Sequence, residues 1–124
     1  MVKTILFVDD EPDQLFSLRQ ILKYETDEYE FIGARSGEEC LTLLEQGTKP
    51  NVILLDIMMP GMNGWEVYDK IRENPGWDDI PIVFFSARSD DLARDTAMSL
   101  GDDYIEKPVE TETLMRQLNQ VINA

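Results

Sequence analysis

The chain contains no histidine and a single cysteine, Cys40. Without histidine it cannot run Ser-His-Asp catalysis, offer an imidazole to a metal, or act as a histidine phosphodonor. A lone cysteine excludes an internal disulfide and any paired-thiol redox or zinc motif. Cys40 lies between Glu39 and Leu41 in a helical stretch and reads as buried filler. Long apolar runs are also missing, and nothing approaches the roughly 20 residues that a membrane helix needs. The first apolar run, Ile5 to Val8, is too short for a signal-peptide core, and acids follow it at once. A cytoplasmic protein with no membrane partner is expected. Positive charge is scarce, with 11 basic residues against 25 acidic ones and a formal net charge of −14. Such a surface repels a phosphate backbone, so direct nucleic-acid binding is not expected.

What remains is the composition of one ordinary globular domain: 124 residues, 43% hydrophobic and 29% charged. Apolar runs of strand length alternate with amphipathic segments of helix length. Strands are expected at Thr4–Val8, Phe31–Ala34, Val52–Leu55, Ile82–Phe85 and Tyr104–Glu106. The runs from Val52 and from Ile82 are continuously apolar, which suits strands buried on both faces of a parallel sheet. Between them, Pro12 opens a helix carrying Leu15, Leu18 and Leu22 at helical spacing. Ser36 with Glu39 forms a capping-box spacing for a second helix that stops at Gly47. Asn63 with Glu66 offers the same start to a third, which buries Val67, Tyr68 and Ile71. A fourth follows Ser89, with Leu92, Thr96, Ala97 and Leu100 on one side. A fifth follows Thr111, with Leu114, Leu118, Val121 and Ile122. Five strands and five helices in strict alternation imply an α/β, doubly wound (βα)5 sandwich on a five-stranded parallel sheet. The flavodoxin-like order 2-1-3-4-5 is its natural form.

The chemistry gathers where the central strands stop. The first runs into Asp9 and Asp10, the third into Asp56, the fourth into Ser86 and the fifth into Lys107. In an open parallel sheet these carboxyl ends share one edge, where such folds place ligands. Three close carboxylates repel one another and call for a cation. All-oxygen ligation suits Mg2+, and no nitrogen or thiolate is offered to softer metals. With the carboxylates kept ionised, one can serve as a nucleophile toward phosphorus. Lys107 and Ser86 suit a transferring phosphoryl group, the first by charge and the second by hydrogen bonding. By contrast Pro60, Gly61 and Gly64 read as turn formers, Met58 and Met59 as loop packing, and Trp65 and Trp77 as apolar anchors.

Four blocks carry a family resemblance: "ILFVDDEP" (Ile5–Pro12), "VILLDIMMPGMNG" (Val52–Gly64), "IVFFSAR" (Ile82–Arg88) and "DDYIEKP" (Asp102–Pro108). In order and spacing they resemble the signature blocks of response-regulator receiver domains, over essentially residues 1–124. The resemblance implies that Asp56 is phosphorylated by a partner histidine kinase or histidine phosphotransfer protein. It implies that Asp9 and Asp10 hold Mg2+ together with Asp56 and the backbone carbonyl of Met58. Lys107 would contact the phosphoryl group, Ser86 would move toward it, and Tyr104 would be the aromatic switch that turns inward with Ser86. The Lys107–Pro108 bond would be cis, an isomer open to X-Pro bonds.

The implied mechanism is a two-state switch read by a downstream protein target or a fused output domain, with a phosphorylation-dependent homodimer as a further partner class. Water later removes the phosphoryl group, and Met58 and Arg88, each two residues past a site residue, would tune that rate. The run Gly101-Asp102-Asp103-Tyr104 is one residue shorter than the family's usual Gly-Ala-Asp-Asp-Tyr, which bears on the output face and not on the pocket. Because the sequence stops at Ala124, a stand-alone regulator and a receiver cut from a longer polypeptide are both open. Two rivals remain. A Mg2+-dependent aspartyl phosphatase would normally carry a second acid where Met58 stands. A receiver-like scaffold that is never phosphorylated would not need the complete set of pocket residues.

Overall fold

The structure, a computed structural model, describes residues 2–25, 28–87, 90–100, 103–107 and 109–123. Its elements alternate from the first to the last. They are β1 (Lys3–Val8), α1 (Pro12–Glu25), β2 (Tyr29–Ala34), α2 (Gly37–Glu45) and β3 (Val52–Leu55). After them come α3 (Gly64–Glu73), β4 (Ile82–Ser86), α4 (Asp91–Leu100), β5 (Asp103–Glu106) and α5 (Thr111–Ile122). The strands form one parallel sheet in the order β2-β1-β3-β4-β5. The expected fold class and strand order are both observed.

Alternation within the strands explains the two layers of helices. Leu6, Val8, Ile53, Leu55 and Phe84 point to one side, where they meet Cys40 and Leu44 of α2, Val67 and Ile71 of α3, and Ala97 of α4. Ile5, Phe7, Leu54, Val83 and Phe85 point to the other, against Leu18 and Leu22 of α1 and Leu114 and Leu118 of α5. Successive side chains of a strand face opposite ways, so a strand covered on both faces must be apolar throughout. Each large side chain buried this way contributes about 1.5–3 kcal/mol relative to exposure.

Register sets up the site. Val8 pairs with Leu55, and Leu55 pairs with Phe84. Ser86 pairs with Glu106. The next residues after β1 and β3, Asp9 and Asp56, are therefore carried out together at the same edge. Backbone bonds continue past the ladder: the Asp56 N–H donates to the Val8 carbonyl (3.0 Å) and the Lys107 N–H to the Ser86 carbonyl (2.8 Å).

Several local expectations need correction. On α4 the buried positions are Ala93 and Ala97, whereas Leu92 and Leu100 are exposed. Small residues let α4 sit close to the sheet and leave its large side chains outside. The Asp90 carboxylate accepts from the Ala93 N–H (2.9 Å) and so caps this helix; Ser89 lies outside the described residues. At α2, Ser36 accepts from the Glu39 N–H, but the Glu39 carboxylate accepts from Arg35 instead of Ser36, so the box is not reciprocal. The box at Asn63 and Glu66 is complete. Tyr68 is only half-buried, its hydroxyl donating to the Leu100 carbonyl (2.6 Å). Met59 packs in the core as a loop residue, but Met58 is 61% exposed. Trp65 packs beside Phe84 with ring centroids 4.8 Å apart, and Trp77 rests against the same core cluster, as apolar anchors do.

Candidate functional site

The loop after β3 is held tightly against the start of α3. A Cβ on Gly64 would lie 2.7 Å from the Ile57 Cα and closer still to the Asp56 carbonyl oxygen. Only glycine permits this approach, and the Gly64 N–H donates to the Ile57 carbonyl at 2.9 Å. Gly61 adopts φ 73°, the left-handed conformation the turn requires. The chain is thereby folded back directly beyond Asp56, and the Asp56 Oδ1 accepts from the Met58 N–H at 3.3 Å.

Asp9 is 1% exposed and Asp56 6%, and Asp10 lies at the rim. One carboxylate oxygen from each lies within 4.8 Å of the others. Lys107 is the cation inside this group. Its Nζ donates to Asp9 Oδ2 at 2.6 Å and stands 3.8 Å from Asp56 Oδ2. The other Asp9 oxygen accepts from the Glu11 N–H at 3.0 Å. Burial pushes the Asp56 carboxyl up from 3.8 to about 6; Lys107 opposes that rise, Asp9 adds to it, the Met58 N–H opposes it, and Asp10 adds to it. Asp9 is thus hydrogen-bonded to the lysine, whereas Asp56 has, among the described residues, a longer ion pair and one backbone donor. The site is short of positive charge at the residue singled out as a nucleophile.

The structure brings together all five residues that end the central strands. Ser86 is fully buried and lines the same cavity as Asp56 and Lys107. Tyr104 is buried one strand away, its ring turned into the core. Met58 faces Asp56 with its backbone N–H and solvent with its side chain. Arg88, the Gly101-Asp102 part of the shortened run, and the Pro108 end of the Lys107–Pro108 bond lie outside the described residues. Burial pushes the Cys40 thiol up to about 12, which suits filler and not a reactive group.

Sequence reasoning missed two contributors. Phe7 and Phe85 lie beneath Lys107, whose ammonium sits 5.9 Å and 5.1 Å from their ring centroids. Both read as core residues in the sequence, and only the sheet register reveals that they underlie the lysine. The Glu11 N–H is the other, and no side-chain pattern announces a backbone donor. Among the described residues, no helix is long and apolar enough to cross a membrane.

Protein PilH of Pseudomonas aeruginosa is 31% identical over 119 residues, covering 95% of this chain and 96% of that protein. The "Probable transcriptional regulator ycf27" of Cyanophora paradoxa is 37% identical over 123 residues, covering 97% of this chain and 48% of that protein. The chain thus spans about half the length, or less, of several curated relatives it matches. A solved structure of the Mn2+-bound form of response regulator Rcp1 superimposes with a TM-score of 0.78 at 27% identity, covering 96% of this chain and 91% of that one. Residues 5–119 match the family described as the response regulator receiver domain. On that match, which runs from within β1 to within α5, the chain belongs to the response regulator receiver domain family, the receiver module of two-component signalling.

Proposed function

We propose that residues 1–124 act as one phospho-accepting unit in which Asp56 takes a phosphoryl group in a Mg2+-dependent reaction. The observation that carries this reading is the charge balance of the pocket. Three carboxylates converge within 4.8 Å of one another with a single described ammonium beside them, hydrogen-bonded to Asp9 at 2.6 Å and in a longer ion pair with Asp56 at 3.8 Å. An all-oxygen set of this kind fits a hard divalent cation. Asp9, Asp10 and Asp56, with the Met58 carbonyl, are the groups that would hold it. When bound, Mg2+ supplies positive charge to the carboxylates and to the phosphoryl oxygens.

The chain's own residues do the rest. The Gly64 approach and the Met58 N–H fix the Asp56 carboxylate, so that one oxygen is held and the other is presented to phosphorus. Lys107, anchored on Asp9, stands where it neutralises charge developing on the phosphoryl oxygens. The Ser86 hydroxyl is a hydrogen-bonding group for one of those oxygens. Tyr104, on the neighbouring strand, couples the occupied pocket to the face carrying α4, β5 and α5. The partners are a histidine kinase or histidine phosphotransfer protein as donor, and a downstream protein or fused output domain as reader, with a homodimer of the phosphorylated form as one route. The chain acts in the cytoplasm as a regulator, not as an enzyme turning over substrates. The exposed thioether of Met58 stands where an aspartyl phosphatase would place its second acid, which favours the acceptor over the phosphatase.

Intact mass after incubation with Mg2+ and acetyl phosphate tests the proposal. One added phosphoryl group is expected, absent without Mg2+ and absent in Asp56→Asn. An adduct that persists in Asp56→Asn overturns it.

A further inference from the structure

Beside Asp56 the molecule is not closed. A cavity of about 590 Å3 runs from Asp56, Ser86 and Lys107 into the gap between α1 and α5. Its floor is the pair Phe7 and Phe85, whose ring centroids are 5.6 Å apart. Leu18 and Ile21 of α1 form one wall; Val109 and Leu114 form the other. Asp56, Ser86 and Lys107 sit at one end, and the α1 side also carries Glu11, Gln14 and Ser17 beside its apolar residues. That volume lies within the range of small-ligand pockets, roughly 300–1,000 Å3, which are mostly apolar with a few placed polar groups.

We propose that this cleft receives the apolar body of a small phosphodonor, so that the chain takes phosphoryl groups from medium-chain acyl phosphates in preference to acetyl phosphate. The inference rests on Asp56 being the acceptor. A phosphoryl group beside Asp56 and Lys107 places its acyl substituent at the mouth of the cleft. An alkyl chain of several carbons can then lie along Leu18, Ile21 and Val109, above the aromatic floor. An acetyl group is too short to use those walls. In the transfer, an Asp56 carboxylate oxygen forms the new bond to phosphorus as the bond from phosphorus to the acyl oxygen breaks. The electron pair leaves on the alkanoate, and no proton moves. The leaving alkanoates of acetyl and hexanoyl phosphate are of nearly equal basicity, so a difference in rate reports the chain's surroundings and not the donor's reactivity.

The test is the initial rate of phosphoryl incorporation, read by intact mass, from acetyl and from hexanoyl phosphate at equal subsaturating concentration with Mg2+. Hexanoyl phosphate is expected to load the protein about tenfold faster, the order given by burying a few methylenes in a half-open cleft. Ile21→Gln, a change at a position already 38% exposed, is expected to pull that ratio back toward one. Phe16→Gln, at the 65% exposed Phe16 outside the cleft, should leave it unchanged. Equal rates from the two donors would overturn the cleft proposal while leaving Asp56 as acceptor, and so would a ratio that Ile21→Gln does not move. No adduct from either donor would instead remove the acceptor reading on which the proposal stands.

Discussion

The two ends of the sheet are built from the same alternation but settle their polar groups differently. At the amino end, Asn51 makes a reciprocal pair with Thr4, its side-chain oxygen accepting from the Thr4 N–H (2.7 Å) and its own N–H donating to the Thr4 carbonyl (2.8 Å). There also the Arg72 guanidinium donates to the Ile80 carbonyl at 2.9 Å, and the Lys3 ammonium to the Asn123 side chain. The carbonyls and amides in these contacts are neutral, and none of the contacts gathers carboxylates. At the carboxyl end the sheet delivers Asp9, Asp10 and Asp56 to one point with Lys107 among them. One end closes the fold. The other stores excess negative charge, which is destabilising by itself and which a bound cation would offset.

The largest way to break the functional end is steric. Gly64→Ala pushes a Cβ into the Asp56–Ile57 backbone, which cannot yield as a side-chain tip could. A loss of about 3 kcal/mol in urea unfolding is expected, together with weaker divalent-cation binding. A loss below 1 kcal/mol would mean that the turn has slack.

Removing the stored charge should work in the opposite direction. With divalent cations chelated, the Asp56 carboxyl of the folded protein titrates near 6 against 3.8 for the ordinary group. The unfolded chain therefore gives up its proton first, and stability falls as pH rises from about 4 to about 6, then levels off. Asp56→Asn is expected to abolish that fall and to stabilise the metal-free protein at pH 7 by about 2 kcal/mol. Added Mg2+ should raise the Tm of the wild type and have far less effect on the variant. A variant no more stable than the wild type at pH 7 would contradict the charge argument.

Smaller effects sharpen the contrast at the other end and on the surface. Asn51→Ala should destabilise by about 1–2 kcal/mol, for the loss of a bond to a backbone donor, with no dependence on Mg2+. Arg94→Ala removes an ion pair to Glu106 at 3.9 Å between two exposed side chains. Its effect on thermal unfolding should stay within about 0.5 kcal/mol.

The sequence made the sheet and the pocket legible because each depends on local signals. Continuous apolar runs marked β3 and β4, and Val52–Leu55 was bounded correctly because Asp56 ends the apolar run abruptly. Strands β1 and β2 begin earlier than expected, at Lys3 and Tyr29; β2 is an edge strand, which tolerates polar residues that blur its start. The pocket followed from strand ends alone, once the parallel order aligned them. The burial of α4 through Ala93 and Ala97 did not follow, because hydrophobicity marks large residues while close packing against a sheet selects small ones. Nor did the cleft between α1 and α5. Leu18, Leu114, Phe7 and Phe85 all read as core, and the space among them is a property of helix placement that no residue pattern encodes.

The most direct test of the central claim is to locate the phosphoryl group. After loading from acetyl phosphate with Mg2+, borohydride reduction converts the phosphorylated aspartate to homoserine, and peptide mass spectrometry reads its position. Conversion at position 56 alone is predicted. Conversion at Asp9 or Asp10, or at no aspartate while the intact mass still shows a phosphoryl group, would contradict the account.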